Sequence, residues 1–151
     1  MAKIKVEQIK QLREKTGAGV MEAKQALTAS GGKMAAAEAW IKKKGLDRAE
    51  AKTDRETKQG VVFAYIHHDH KSGAMVKLLC ETDFVARTDD FLNLAQELAM
   101  QATSMPAKNT AALLSQAYIR DLEMTVEQLI KQVAGKVGEN IQLKEFVRLG
   151  L

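Results

Sequence analysis

Apolar positions at helical spacing recur three times within the first 45 residues. Each stripe puts one face of a helix inward and ends at glycine, the residue that most often terminates helices. The stripes are Val6, Ile9 and Leu12; then Val20, Ala23, Ala26 and Leu27; then Ala36, Ala37, Trp40 and Ile41. The glycines that follow them are Gly17 and Gly19, Gly31 and Gly32, and Gly45. Residues 1–45 are therefore predicted to form a module of three short helices.

Residues 46–60 lack such a stripe and are almost wholly polar apart from alanines. Lys52 and Glu56 lie four positions apart, a spacing at which opposite charges stabilise a helix. We interpret this segment as a solvated helical connector and as a boundary between two domains.

The spacing of apolar residues changes at Val61. From there to His67 the chain is rich in β-branched and aromatic residues. A polar turn over residues 68–73 follows, and residues 74–80 are apolar again, a pattern that predicts a β-hairpin. A helical stripe from Phe91 to Ala102 comes next, with Thr88 or Asp89 as its N-cap and Pro106 after its end.

The remainder of the chain predicts two more helices and a strand. A weaker helix is predicted from Thr110 to Leu122, and Thr125 with Gln128 forms a capping box that begins another, which Gly138 ends. Apolar and polar residues alternate from Ile141 to Leu149, which indicates a last strand. Residues 61–151 therefore predict an α+β domain of helices packed on a small antiparallel sheet.

Composition limits the class of protein. The 151 residues are 46% hydrophobic and 28% charged, as in soluble globular proteins. No apolar run approaches the roughly 20 residues of a membrane span, and no signal segment opens the chain, so we expect no membrane association. The single cysteine, Cys80, lies in an apolar run, which fits a buried thiol and a cytoplasmic location.

The sequence contains no pattern typical of nucleic-acid binding or of catalysis. The net charge of +4 comes from cations scattered among acids, without interleaved aromatic residues, and does not indicate direct nucleic-acid contact. Gly17 and Gly19 do not form a dinucleotide fingerprint, because Glu22 stands where a third glycine belongs. His67, His68 and His70 suit a polar hairpin tip better than a metal site, because no second ligand cluster exists. We predict no cofactor, no metal and no enzyme.

The segment Glu81 to Asp90 places Phe84 and Val85 in an acid-rich connection between the hairpin and the next helix. A large aromatic residue is unusual in such a connection. One interpretation is that Phe84 folds back as a lid on the core. The other is that Asp83 and Phe84 are offered together to a protein partner, since aromatic residues beside charges are typical interface anchors.

Three strings resemble signatures of the elongation factor Ts family, the guanine-nucleotide exchange factors of elongation factor Tu. They are LREKTGAGVMEAKQAL (Leu12 to Leu27), TDFVAR (Thr82 to Arg87) and KVGENI (Lys136 to Ile141). Their order and separation also resemble the family, and the resemblance covers essentially the whole chain. It agrees with the likeness of residues 1–45 to a ubiquitin-associated type of module.

The resemblance implies that Asp83 and Phe84 enter the GTP-binding domain of elongation factor Tu near its magnesium ion. Phe84 would shift the elements that hold the ion, while Thr82 and Val85 shape the connection. A second contact with the same domain would come from the loop between the first two helices, with Leu12, Val20 and Met21. The other interpretation of Val20 and Met21 is that they belong to the local core.

Longer family members carry a core of two related halves, and this chain has room for one. The short form resembles members that pair, so we expect a homodimer through the α+β domain, because a lone three-stranded sheet leaves an apolar face open. The competing hypothesis is a basic adaptor that binds ubiquitin-like or nucleic-acid partners, in which Lys42 to Lys44 matter and Phe84 does not.

Overall fold

A computed structural model describes residues 3–151. The first part forms three helices: α1 (Val6–Thr16), α2 (Val20–Ala29) and α3 (Met34–Glu50). Gly17 ends α1 in the left-handed conformation, at φ +69°, which glycine adopts without steric cost. The three helices enclose a small core of fully buried side chains that includes Leu12, Ala23, Ala26, Leu27 and Ala37. The predicted three-helix arrangement is confirmed.

The prediction that the third helix ends at Gly45 was wrong, because α3 continues through Gly45 to Glu50. The backbone of Gly45 lies against Gly135 in α7 (Val126–Val137), and a Cβ atom added at Gly135 would overlap the Gly45 carbonyl oxygen. The glycine pair thus permits a close helix crossing. Of the predicted helical connector, only residues 46–50 are helical; turns, a bend and residues without regular structure lead from there to the first strand.

The sheet contains β1 (Gln59–Ile66), β2 (Ser72–Cys80) and β5 (Gln142–Gly150), which pair antiparallel in the order β1-β2-β5. The predicted hairpin and last strand are confirmed. One face of the sheet packs on α5 (Asp89–Ser104), α6 (Thr110–Ser115) contacts β5, and α7 packs against α5 and α6. The fully buried side chains of this second core include Val76, Leu78, Phe91, Leu98 and Leu113. The predicted α+β class is therefore confirmed.

The predicted helix from Thr110 to Leu122 was wrong beyond Ser115. Two short strands follow it, β3 (Ala117–Tyr118) and β4 (Asp121–Thr125), which pair with each other. The buried Gln101 side chain donates to the Ala117 carbonyl at 3.1 Å and accepts from the Ile119 amide at 3.0 Å. Tertiary hydrogen bonds from α5 thus replace the helical ones that the local pattern favours.

The capping box at Thr125 and Gln128 is present, and Gly138 ends α7 in the left-handed conformation. Both predictions are confirmed, because they depend on neighbouring residues only. None of the helices within residues 3–151 combines the length and the apolar character that a membrane span needs.

Candidate partner-binding site

The acid-rich connection forms a single-turn helix, α4 (Asp83–Ala86), where the sequence predicted a loop. Phe84 lies on its outer side with 78% of its surface exposed, whereas Val85 and Ala86 point into the core. The interpretation of Phe84 as a lid on the core is therefore wrong. Val85 anchors the turn from beneath, and Phe84 projects from it.

Thr82 connects α4 to the end of α7. Its side chain accepts a hydrogen bond from the Val85 amide at 3.3 Å and so caps the helix. Its own amide and hydroxyl donate to the two carboxylate oxygens of Glu139, at 3.0 Å and 2.8 Å. The Cys80 thiol donates to the Thr82 carbonyl at 3.1 Å. The start of α4 is thus held by four hydrogen bonds.

The next turn is closed by Thr88, whose hydroxyl donates to the Val85 carbonyl at 2.7 Å and accepts from the Phe91 amide at 3.4 Å. Thr88 is therefore the N-cap of α5, one of the two residues predicted for that role. Because Thr82 and Thr88 cap successive helices, the backbone that carries Phe84 is constrained on both sides.

Asp83 lies beside Phe84 and pairs with Arg87 at 3.0 Å, with both side chains largely exposed. Exposed pairs contribute about 0–1 kcal/mol, so this one does not lock the Asp83 carboxylate. Asp83 and Phe84 together present an acid and an aromatic ring to the solvent.

A second bridge to the C-terminal string lies below α4. The Glu81 carboxylate accepts from the Asn140 amide at 2.7 Å. The Asn140 side chain donates in turn to the carbonyls of Thr53 and Arg55, at 3.2 Å and 2.8 Å. The bonds of Thr82 with Glu139 bring the strings Thr82 to Arg87 and Lys136 to Ile141 into direct contact, although the two residues are 57 positions apart.

Val20 and Met21, predicted in the loop between the first two helices, are instead the first two residues of α2 and form a second exposed apolar pair. Val20 is 50% and Met21 is 68% exposed, so the interpretation of both as local core is wrong. Leu12, in contrast, is fully buried beneath this turn and supports it without reaching the surface. Of the three residues predicted for this contact, two are free to touch a partner.

Lys136 connects this turn with the α4 region. Its ammonium lies 2.9 Å from the Asp90 carboxylate at the start of α5, and its side chain passes over Gly17. A groove of about 800 Å³ runs between the turn at Gly17 to Gly19 and the exposed side of α7, with Asp90 and Lys136 on its wall. The groove thus links the turn before α2 with the start of α5, whereas Phe84, Val20 and Met21 are not among the residues that line it.

The outer face of the sheet is a third exposed apolar region. Along the strands the residues alternate between the core and this face, and in two neighbouring rows the register aligns Ala64, Met75 and Val147, then Ile66, Gly73 and Leu149. Met75 and Val147 are about half exposed, and Leu149 more so. Lys77 and Glu145 pair at 3.8 Å in the adjoining row. We call this surface the outer sheet face.

The remaining candidate residues do not form a reactive site. Burial, together with the nearby Glu139 charge, raises the pKa of the Cys80 thiol to about 11, so the thiol stays protonated at neutral pH. Tyr65 and His67 share a hydrogen bond of 3.0 Å near the β1–β2 turn. Within residues 3–151, no three His, Cys, Asp or Glu side chains are grouped so that they could hold a metal ion.

Sequence reasoning gave no role to Glu139, Asn140 or Lys136, the polar residues that brace the exposed segments. They lie within the string Lys136 to Ile141, so the string itself was visible. Their contacts, however, span 46 to 87 positions along the chain and carry no local signal.

These features define a class of protein. The site presents an exposed aromatic anchor, a neighbouring acid and a second apolar pair on a braced scaffold, which is the anatomy of a protein-binding surface.

The comparisons with known proteins agree with that class. The family model described as Elongation factor TS matches residues 81–150. An elongation factor Ts from Prochlorococcus marinus (strain MIT 9303) is 36% identical over 197 residues, which cover all of this chain and 90% of the relative. One from Coprothermobacter proteolyticus is 37% identical over 93% of this chain and 94% of the relative. The chain belongs to the elongation factor Ts family.

Family members differ in length. An elongation factor Ts from a Nostoc species is 42% identical over all 151 residues of this chain, which match 48% of the relative. The chain therefore spans about half the length of that relative and nearly all of others.

Proposed function

We propose that this protein promotes the release of GDP from elongation factor Tu, and that Phe84 is the anchor of the contact. The observation that carries the proposal is the position of Phe84, which is largely exposed on a helix that four hydrogen bonds hold at its start. Exposing an aromatic side chain to water costs free energy, so such an arrangement is favoured where a partner covers the ring.

The proposed mechanism is displacement of the magnesium ion. Phe84 enters the nucleotide-binding domain near the ion and shifts the elements that hold it, while Asp83 brings a carboxylate close to the phosphates. Once the cation is displaced, the phosphate charge is no longer offset and GDP binds more weakly. The protein forms and breaks no covalent bond in this scheme, and it needs no cofactor of its own.

Exchange requires that the factor also leaves. If the factor weakens nucleotide binding by some ratio, the nucleotide weakens factor binding by the same ratio. The complex therefore accumulates only when nucleotide is absent, and the next nucleotide to bind releases the factor. This reciprocity allows one molecule to act on many copies of elongation factor Tu.

The second contact is proposed at Val20 and Met21, with the three helices of the first part acting as a ubiquitin-associated type of module. Leu12 supports this contact from the core, as Val85 supports Phe84. Lys136 lies against Gly17 and pairs with Asp90, so it links the turn before α2 with the start of α5. The proposal is that a single domain of the partner meets both contacts.

We further propose a homodimer through the outer sheet face, with residues 61–151 as the dimerisation domain, residues 1–45 as a separate helical domain and residues 46–60 joining them. The face carries Met75, Val147 and Leu149 without a covering element among the described residues. Its neighbouring charges, Lys77 and Glu145, pair with each other at 3.8 Å. A cytoplasmic location fits the proposed role in translation.

The test is the release of fluorescent GDP from purified elongation factor Tu after mixing with excess unlabelled GDP. We expect substoichiometric amounts of this protein to release all of the label at an accelerated rate. Release that does not change on addition of the intact protein would contradict the proposal. The adaptor hypothesis would then take its place, and replacement of Lys42 to Lys44 would become the decisive experiment.

A further inference from the structure

We infer that Glu139 is a positioning residue for Phe84, acting through Thr82. The inference rests on the proposed exchange function, which assigns the partner contact to Phe84. Glu139 does not reach the exposed ring itself. Its two carboxylate oxygens instead receive the two hydrogen atoms that Thr82 can donate.

The backbone on both sides of Glu139 is held in place by its neighbours in the fold. It follows Gly138, whose left-handed conformation ends α7 and whose carbonyl accepts a hydrogen bond from Lys52 at 3.0 Å. Asn140 follows and is held by Glu81 and by two connector carbonyls. The carboxylate of Glu139 therefore projects from a segment that is fixed on both sides.

The geometry at Thr82 shows what the carboxylate does. The hydroxyl of Thr82 donates to Glu139 and, through a lone pair, accepts from the Val85 amide. Because Glu139 takes the hydroxyl hydrogen, the oxygen lone pairs are left directed at the start of α4. The carboxylate thus fixes both the backbone of the N-cap residue and the orientation of its capping oxygen.

The short length of α4 makes this support important. A helix of four residues has no independent stability in water, because forming one turn costs more conformational entropy than its hydrogen bonds return. Its population therefore depends on its caps and on its packed side chain, Val85. Without Glu139, we expect the turn to open more often and Phe84 to sample other positions.

This role predicts a particular kinetic pattern. If only a fraction of molecules holds the turn correctly, the apparent dissociation constant rises by the inverse of that fraction, while the bound complex is unaltered. Glu139→Ala should therefore raise the half-saturating concentration in the exchange assay by about tenfold, in line with the loss of charge-assisted hydrogen bonds. The maximal release rate should stay within about twofold of the original, because the bound turn is intact.

The conservative variant tests the same geometry. In Glu139→Gln the amide oxygen can still accept from the Thr82 backbone, and the amide nitrogen can donate to the Thr82 hydroxyl. We expect it to restore most of the affinity that Glu139→Ala loses. Glu123→Ala is the matched control, because Glu123 is exposed on β4, away from α4, and its side chain makes no hydrogen bond among the described residues.

The decisive experiment combines the exchange assay with hydrogen exchange of the free protein, measured for each variant at the amides of residues 83–88. The inference predicts faster hydrogen exchange there in Glu139→Ala, recovery in Glu139→Gln and no change in Glu123→Ala. Thr82→Val, which removes only the hydroxyl, should show part of the loss, and it replaces Glu139→Ala if that variant does not fold.

The outcomes separate this inference from the proposed function. If the intact protein fails to accelerate GDP release, the proposed function fails, and hydrogen exchange alone then decides the role of Glu139. If the intact protein is active but Glu139→Ala matches it in affinity and in hydrogen exchange, the exchange function stands and the inference is overturned. A fall in maximal rate without a change in affinity would also overturn it.

Discussion

The α4 region and the outer sheet face both expose apolar side chains, but their construction differs. On α4 a single aromatic ring projects beside an acid, and the N-cap residue Thr82 is held by one hydrogen bond that it accepts from Cys80 and two that it donates to Glu139. On the outer sheet face, aliphatic side chains lie in rows on a three-stranded surface whose backbone is held by strand pairing.

The difference suits the two kinds of interface proposed above. A lone, braced aromatic concentrates binding energy in one place, as suits a contact that forms and breaks in each cycle. A face of aliphatic rows offers area without a dominant anchor, which suits the proposed pairing of identical subunits. We therefore expect substitutions on α4 to change exchange and those on the sheet to change the oligomeric state.

The largest effect is expected for Met75→Glu. A carboxylate at the centre of the outer sheet face would be buried without a partner in the proposed dimer, which costs about 3–5 kcal/mol. Light scattering should show the dimer of the unmodified protein and a monomer for the variant at micromolar concentrations. A monomer for the unmodified protein would remove the dimer from the account. Lys144→Glu, an exposed change outside the two apolar rows, is the control.

The next effect is expected for Phe84→Ala. Truncation of a central aromatic anchor typically costs about 2 kcal/mol, or roughly thirtyfold in the exchange efficiency kcat/KM. Stability should hardly change, because the ring is exposed in the free protein. Leu122→Ala is the matched control, since Leu122 is similarly exposed but lies on β4. An equal loss of kcat/KM in the two variants would show that Phe84 contributes no more to the exchange than any other exposed apolar side chain.

Alkaline pH offers a test of the support beneath α4. The raised pKa of Cys80, about 11 against 9.0, means that the folded protein keeps a proton that the unfolded chain loses first. The free energy of unfolding should be unaffected below pH 9 and should fall between pH 9 and 11, by about 1.4 kcal/mol per pH unit at most. Urea midpoints at pH 8 and pH 10 measure the change.

Cys80→Ala provides the comparison for that experiment. Burial and the bond to Glu97 also raise the pKa of Tyr118, but this contribution is the same in both proteins. The variant should therefore lose less stability than the unmodified protein over the same pH interval. If the free energy of unfolding falls by the same amount in Cys80→Ala and in the unmodified protein, the buried thiol under Thr82 is contradicted.

The smallest effect is expected for Lys136→Ala. Its pair with Asp90 is partly exposed and contributes about 0–1 kcal/mol, so the half-saturating concentration should rise about two- to threefold. The rise reflects a looser relation between the Gly17 turn and the start of α5. Lys10→Ala, a change at an exposed lysine of α1, should leave it unaltered.

Local patterns predicted much of this fold because their physical causes are local. The capping box at Thr125 and Gln128, the end of α7 at Gly138 and the β-hairpin all depend on residues within a few positions. The predicted end of the third helix at Gly45 was wrong, because the role of this glycine is to allow the close approach of Gly135, ninety positions away.

The site was predictable to a similar extent. Phe84 was identifiable as an aromatic residue in a polar segment, but its exposure depends on the packing of Val85 beneath it. The hydrogen bond between Thr82 and Glu139 joins residues 57 positions apart, and the spacing of residue types along the chain does not predict such a contact. The anchor was therefore visible in the sequence, and its support was not.

The central claim is that Phe84 loosens GDP by displacing magnesium, and the most direct measurement compares GDP release with and without that ion. Release from elongation factor Tu is followed with saturating amounts of the unmodified protein or Phe84→Ala, first with excess Mg²⁺ and then with excess chelator. The account predicts a large advantage for the unmodified protein in Mg²⁺ that shrinks to nearly nothing in chelator. An advantage of the same size under both conditions would contradict it.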